Sequence, residues 1–199
     1  MINKLIENFP QEIVDDAIRL HRHLAPGIIL GFKMALFALK ELAPKPGDVV
    51  ILTSETTRCI PDGIQALARY LLVHGGYHVY LRTYDVGKLS MQVTINHEYK
   101  KDFRIVLNED YLEENKEFYA WVYLDKDKQL ELDALRDVMW EIDLDRAFTK
   151  VKFKKKIKPE FKGKQIIDCP SCGESTSKLS MIEHKGKLTC KTCVFFDRS

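Results

Sequence analysis

The sequence predicts an α+β fold in which helices pack on a mixed or antiparallel β-sheet, followed by a small C-terminal module. Two long helical patterns open the chain and give way to short runs of β-branched and aromatic residues, which are typical of strands. The 199 residues are enough for one domain with its own core and a small appendage. Four of the five cysteines follow residue 168. We therefore predict a domain over residues 1–160 and a separate module over residues 161–199.

The first two elements are predicted helices. Residues 11–23 place apolar side chains on one stripe and charged side chains opposite, which is the pattern of an amphipathic helix. Pro26 should end this helix, because the residue before a proline avoids the α region. Residues 27–42, GIILGFKMALFALKEL, are apolar almost all round. We expect this second helix in the core of the domain or in a subunit interface.

The elements that follow alternate between strands and helices. VVILTS, residues 49–54, is typical of a buried strand, and the next segment is a helix with Pro61 in its first turn and a glycine pair at its end. Composition and turn residues predict the remaining elements. These are strands over 77–85 and 90–99 joined by a turn, a strand over 103–108, helices over 109–123 and 130–140, and an edge strand from 148 that runs into a lysine-rich linker.

Composition favours a globular cytoplasmic protein. The chain is 45% hydrophobic and 30% charged. It has no run that approaches the roughly 20 apolar residues of a membrane helix, and its first residues are too charged for a signal peptide. The net charge of +2 hides an asymmetry, because residues 109–146 carry thirteen acidic and five basic residues, whereas residues 150–164 carry eight lysines and one glutamate. Charge therefore bears on partners locally.

The strongest chemical signal is a pair of Cys-x2-Cys motifs, Cys169 with Cys172 and Cys190 with Cys193. Thiolates at this spacing can reach one ion at about 2.3 Å, and two such turns supply the four ligands of a tetrahedral zinc site. An iron site or disulfides are the alternatives, but the compartment counts against disulfides. We predict one structural zinc per chain, because some 30 residues bury too little apolar surface to fold unaided.

The lysines before this ribbon leave two interpretations open. They could contact nucleic-acid phosphates, or they could form a solvated linker. The ribbon has no aromatic residues interleaved with its basic ones, and stacking on bases would need them. The sequence therefore disfavours nucleic acid as a partner.

Three residues of the larger domain form a second group of potential metal ligands. His21 and His23 would point about 160° apart in an intact helix, but they would share a side if the chain became extended before Pro26. Cys59 follows a strand and precedes a helix, a position where a helix N-terminus lowers the pKa of a thiol. Metal binding competes here with capping histidines and a buried, inert thiol.

Several motifs resemble those of FmdE, a family of proteins associated with formylmethanofuran dehydrogenase. HRHLAPGIILGFKMA resembles the family's opening His-Gly-His-x-Cys-Pro-Gly motif and the helix after it. ETTRCIPDGIQAL is similar to its Glu-Asn-x-x-Cys-x-x-Asp-Ala-Ile-Gln segment, and YDVGKLSMQV to its Asp-Tyr-Gly-Lys segment. CPSCGE and GKLTCKTC look like its C-terminal zinc ribbon. The resemblance runs in order through most of the chain.

The resemblance implies a second metal site in the α+β domain. Carried over by position, its ligands are His21, His23 and Cys59. Thiolate with imidazole suits a divalent metal, zinc first, and an incomplete protein shell would leave a position for water or substrate. The pocket residues that the resemblance implies are Arg22, Asp62, Gln65 and Lys88.

Two residues depart from the family pattern. Arg22 stands where the family usually has glycine, and Ala25 where it has cysteine. The missing thiolate puts a dithiol or redox role in doubt. Arg22 adds a cation that could repel a metal or recruit an anionic ligand.

Three functions follow from these observations. The first is a metal-binding accessory of a molybdenum- or tungsten-dependent formylmethanofuran dehydrogenase or a related redox enzyme, since the sequence has no pterin-binding, GxGxxG or P-loop signature of its own. The second is a stand-alone metal-dependent enzyme in which Asp62 or Lys88 would manage protons or an anionic substrate. The third is a zinc-ribbon adaptor for nucleic acid or protein. The sequence assigns no catalytic residue.

The sequence also predicts partners. The apolar helix over residues 27–42 suggests a homodimer, and the basic linker is long enough for the ribbon to reach the other protomer. A larger redox-enzyme complex is the partner that the family resemblance implies.

Overall fold

The computed structural model describes residues 1–96, 101–124, 127, 130–152 and 166–196. Its contacts divide the chain into two units, Met1–Lys156 and Ile157–Ser199, which we describe separately. The predicted boundary at residue 160, most of the lysine-rich linker and the end of the predicted strand over residues 90–99 lie outside the described residues.

The described part of the first unit contains eight helices. Residues at their ends explain several of the boundaries: Arg22 and Gly76 adopt left-handed backbone conformations after two helices, and Pro26 occupies the first turn of another. The helices are α1 Ile2–Glu7, α2 Gln11–His21, α3 Pro26–Leu42, α4 Ile60–Gly75, α5 Glu109–Glu114, α6 Lys116–Val122, α7 Leu132–Trp140 and α8 Leu144–Ala147. The sequence patterns do not predict α1 or α8.

Five strands form one mixed sheet in the order β2-β1-β3-β4-β5. They are β1 Val49–Ser54, β2 His78–Thr83, β3 Met91–Ile95, β4 Phe103–Leu107 and β5 Phe148–Lys152. Strand β2 pairs with β1 in parallel, and the other three pairings are antiparallel. The predicted α+β class is therefore confirmed, and β5 lies at an edge as expected.

The turn at Gly87 does not make a hairpin. The strands that it connects, β2 and β3, pair with opposite sides of β1 rather than with each other. The physical reason is the crossover through α4, which returns the chain parallel to β1 on one side and leaves the other side for β3. The sequence predicted both strands and the turn, but not the strand between them.

Helix α3 is the centre of the larger core. Thirteen of its 17 residues are buried, including Ile28, Phe32 and Leu39. Its uniformly apolar sequence is therefore explained by packing within one chain. A subunit interface is not needed to cover it.

Helices α3 and α4 cross with their backbones in close contact. A methyl group built on Gly31 would overlap the carbonyl oxygen of Ile60, and one built on Gly63 would overlap that of Ile28. Only residues without a side chain permit this approach. The crossing brings the first turns of the two helices together, and with them the segment before α3 and the segment before α4.

The predicted helix over residues 109–123 is divided in two. Asn115 leaves the helical conformation between α5 and α6, and its side-chain amide donates to the carbonyl oxygen of Tyr111 at 2.7 Å. Side-chain hydrogen bonds of this kind compete with the helical pattern of the backbone. The apolar periodicity of the segment does not reveal this break.

The second unit contains two small antiparallel pairs. Strand β6 Ile166–Asp168 pairs with β7 Ser175–Ser177, and β8 Met181–His184 pairs with β9 Lys187–Cys190 before the short helix α9 Lys191–Phe196. Three cysteines and Met181 form its buried cluster. The core of this unit thus consists largely of the potential metal ligands.

None of the helices in the described ranges has the length and apolar character needed to cross a bilayer.

Candidate metal centres

The four cysteines of the second unit converge on one point. Their sulfur atoms all lie within 4.8 Å of one another, and those of Cys172 and Cys190 are 3.9 Å apart. Four sulfurs around one zinc at about 2.3 Å would be about 3.8 Å apart, so this spacing fits a tetrahedral metal. Cys169, Cys190 and Cys193 are buried, and Cys172 is half-buried. These residues could hold a metal ion, as the sequence spacing predicts.

Tight turns aim backbone N–H groups at these sulfurs. The amide of Cys190 donates to the sulfur of Cys169 at 3.4 Å, and the amide of Cys193 donates to the sulfur of Cys190 at 3.4 Å. The hydrogen bond from Cys190 is the main cause that lowers the pKa of Cys169 to about 6. Hydrogen bonds of this kind stabilise thiolates, which are the form that binds metal.

In the first unit, the end of α2 brings two histidines together. The helix stops at His21 because Arg22 adopts a left-handed conformation with φ of 76°. The rings of His21 and His23 then lie side by side with centroids 4.9 Å apart. The break in the helix therefore occurs before Pro26, between the two histidines. Glycine adopts such a φ without strain, which explains the glycine of the family motif physically.

Asp62, in the first turn of α4, orients one of these rings. The Nδ1 atom of His21 donates to a carboxylate oxygen of Asp62 at 2.7 Å. This hydrogen bond leaves Nε2 as the free nitrogen of a neutral ring. A carboxylate that fixes the ring and tautomer in this way is the usual companion of a metal-binding histidine.

Cys59 lies directly before α4 and is half-buried. A methyl group built on Gly27 would lie 3.0 Å from its Cβ, 3.6 Å from its sulfur and 3.7 Å from the indole of Trp121, so glycine at residue 27 leaves room for the thiol. Burial raises the pKa of Cys59, and the charge of Asp62 adds to this effect. The expected lowering by the helix N-terminus is therefore wrong, because desolvation outweighs it.

The three predicted ligands of the first unit are close but not in coordinating positions. Among the residues that the structure describes, only the four ribbon cysteines form a group of three or more His, Cys, Asp or Glu with ligand atoms within 4.8 Å of one another. Binding by His21, His23 and Cys59 together would require side chains to move inward. The metal at this position stays a prediction.

The other implied pocket residues lie at the surface. Arg22, Gln65 and Lys88 are exposed, and Asp62 is partly exposed. The backbone amide of Lys88 donates to the carbonyl oxygen of Glu55 at 3.2 Å, which ties the Lys88 turn to the segment that leads to Cys59. Of the four, Asp62 alone has a side-chain bond to a predicted ligand among the hydrogen bonds that the structure describes.

Sequence reasoning missed the ion pair of Glu55 and Arg104. The carboxylate of Glu55 accepts from Arg104 Nε at 2.6 Å and Nη2 at 2.5 Å, from Ser90 Oγ at 2.6 Å and from Gln92 Nε2 at 3.1 Å. Glu55 is only 4% exposed. An acidic residue directly after a buried strand was the available signal, but its cationic partner is 49 residues away.

This ion pair keeps Glu55 charged. Burial alone would raise the pKa of Glu55, but the hydrogen bonds from Arg104, Ser90 and Gln92 outweigh it and lower the pKa from 4.5 to about 2. Because the pKa is lower in the folded state, the resulting stabilisation is complete above pH 4.5 and is lost as the pH falls towards 2. The pair is thus intact at neutral pH.

Comparison with known proteins agrees with this architecture. A family model described as FmdE, molybdenum formylmethanofuran dehydrogenase operon, matches residues 20–150, which include every predicted site residue of the first unit but not the ribbon cysteines. No curated protein sequence matches the chain.

The fold also resembles a solved structure. The crystal structure of a tungsten formylmethanofuran dehydrogenase FmdE-like protein from Syntrophus aciditrophicus aligns with a TM-score of 0.55 and 21% identity, over 92% of this chain and 91% of that chain. This likeness supports the fold, and the family match over residues 20–150 shows the relationship. The chain belongs to the FmdE family.

Proposed function

We propose that this protein is a cytoplasmic, metal-binding accessory of a molybdenum- or tungsten-dependent dehydrogenase of the formylmethanofuran type or a related redox enzyme. The observation that carries the proposal is the Asp62–His21 hydrogen bond with His23 beside it, in the part of the chain that matches the family. A carboxylate that orients an imidazole prepares a metal ligand.

Zinc is the metal that we propose for the ribbon. Four thiolates in a small unit suit zinc, which imposes no geometry of its own and accepts a tetrahedral shell. The supporting observation is the mutual approach of the four sulfurs within 4.8 Å. The role of this metal would be structural, because four protein ligands leave no open position.

The second metal that we propose lies between His21, His23 and Cys59. Two imidazoles and one thiolate would leave a fourth position for water or a substrate group. A bound metal would also deprotonate the Cys59 thiol, whose raised pKa otherwise keeps it neutral at pH 7. Arg22, exposed between the two histidines, would favour an anionic group on the ligand.

Metal content tests the two sites separately. We expect two zinc ions per chain in the wild-type protein and one in His21→Ala or Cys59→Ala, because each substitution removes a ligand from an incomplete shell. Elemental analysis after dialysis gives the count. With cobalt in place of zinc, loss of part of the sulfur-to-metal absorption in Cys59→Ala would identify the thiolate.

The matched control is His78→Ala. His78 is exposed on β2 and belongs to neither proposed site, so this variant should retain both ions. One ion per chain in the wild type, unchanged in His21→Ala, would refute the second site.

The accessory role is tested by isolation from the native cell. A tagged copy of this chain should co-purify with molybdenum or tungsten, measured in the eluate by elemental analysis. This chain has no pterin-binding signature of its own, so that metal would have to come from a partner enzyme. An eluate without molybdenum or tungsten under conditions that express the dehydrogenase would contradict the accessory role.

One observation favours a stand-alone metal-dependent enzyme as the second candidate. An imidazole held by a carboxylate, as in the His21–Asp62 pair, can also act as a general base beside a metal-bound water. Turnover by the isolated chain would support this alternative.

The predicted homodimer stays a prediction. Helix α3 suggested it, but α3 is buried within its own chain. A dimer would therefore use another surface.

A further inference from the structure

Glu55 joins two segments of the first unit through its backbone as well as its side chain. Its amide donates to the carbonyl oxygen of Ser90 at 3.0 Å. Its own carbonyl oxygen accepts from the amides of Val86 at 3.1 Å and Lys88 at 3.2 Å. One residue at the end of β1 therefore holds the whole turn between β2 and β3.

The same residue begins the segment that carries Cys59. This short connection, residues 55–59, passes directly into α4. The hydroxyl of Thr57, within the connection, donates to Asp85 of the turn at 3.1 Å. The connection and the turn are thus bonded at two points, of which Glu55 is the buried one.

Arg104 fixes the orientation of Glu55 from the neighbouring strands. It lies on β4 opposite Gln92 of β3, and its guanidinium donates two hydrogen bonds to the Glu55 carboxylate and one to Ser90 Oγ. A two-pronged guanidinium–carboxylate pair permits few relative orientations of its partners. The sheet itself therefore determines where Glu55 and the attached segments lie.

We propose that Glu55 is a positioning residue, held by Arg104, that sets the placement and reactivity of Cys59 by fixing its segment against the Lys88 turn. The part of this inference that concerns metal affinity rests on the proposed second metal site. The part that concerns the thiol does not depend on a metal.

The test uses Glu55→Gln in the full-length chain with metal in the ribbon. Cys59 alkylation by iodoacetamide is followed by mass spectrometry of its peptide, which separates it from the four ribbon thiols. We expect alkylation about tenfold faster or more, because breaking a buried ion pair frees the attached segment. Amide hydrogen exchange in α7 should stay at the wild-type rate, since α7 has no bond to this network among those described.

The matched control is Glu41→Gln. Glu41 pairs with Lys150 at 2.5 Å in the same unit, away from the predicted site residues, so this variant should leave Cys59 alkylation unchanged. If Glu55→Gln does not fold, Arg104→Lys replaces it, because lysine keeps the charge without the fork. The proposal is overturned if Cys59 alkylation stays at the wild-type rate, or if it rises only in proportion to exchange in α7.

A competition assay with a chromophoric chelator provides the second measurement. Glu55→Gln should weaken zinc binding at the His21, His23 and Cys59 site while the ribbon affinity stays constant. A wild-type chain that binds a single metal would refute the proposed second site, and the alkylation measurement would still decide whether Glu55 positions Cys59.

Discussion

Alanine at Gly31 is expected to lower the free energy of unfolding of the first unit by about 2–3 kcal/mol. The added methyl would overlap the carbonyl oxygen of Ile60 and lie 3.2 Å from its carbonyl carbon, so backbone rather than a flexible side chain would have to move. Helix propensity acts in the opposite direction, because alanine in a helix interior is favoured over glycine by about 1 kcal/mol. Urea denaturation followed by circular dichroism measures the net effect.

Two further glycines calibrate this prediction. Gly63→Ala should cost as much as Gly31→Ala, because its methyl would overlap the carbonyl oxygen of Ile28. Gly27→Ala should cost less, since its methyl would meet the Cys59 side chain at 3.0 Å and side chains can shift. A Gly31→Ala variant as stable as the wild type would show that the helices do not approach this closely.

Removal of the ribbon metal should unfold residues 166–196 while the first unit stays folded. The buried cluster of the ribbon is three cysteines and Met181, with Ile167 and Cys172 packed against it, so little apolar surface remains when the thiolates lose their ion. A structural zinc contributes about 10–16 kcal/mol of folding free energy to small domains at pH 7. Hydrogen exchange should therefore become fast across the ribbon after treatment with a chelator or in Cys190→Ser.

The control for the ribbon is Cys59→Ser, which removes a thiol from the other unit. Its ribbon peptides should exchange as slowly as those of the wild-type protein. Slow exchange across residues 166–196 in metal-free Cys190→Ser would mean that the ribbon folds without its ion.

Local patterns predicted most of the fold. Apolar periodicity and terminal residues indicated α2, α3, α4 and β1, because these signals lie within a few adjacent residues. The order of the sheet could not be predicted this way. The parallel pairing of β2 with β1 depends on how α4 packs across the sheet, and no local signal reports that packing.

The candidate sites divide along the same line. The spacing of Cys169, Cys172, Cys190 and Cys193 predicted a cluster that the structure forms, since a Cys-x2-Cys turn is a local device. The bond between His21 and Asp62 joins residues 41 positions apart, and only the close α3–α4 crossing brings their helices together. Spacing within one segment cannot reveal a contact of this kind.

The left-handed backbone at Arg22 limits which residues this position accepts. Holding a φ of 76° costs a residue with a side chain about 1–2 kcal/mol, and it costs glycine nothing. Replacement by glycine would remove the strain and the positive charge in one step, whereas lysine would keep both. In a library of all twenty residues at this position, selection for stability alone would enrich glycine. Selection for an anionic ligand would enrich arginine and lysine, so the two enrichments would separate what the fold requires at this position from what the site requires.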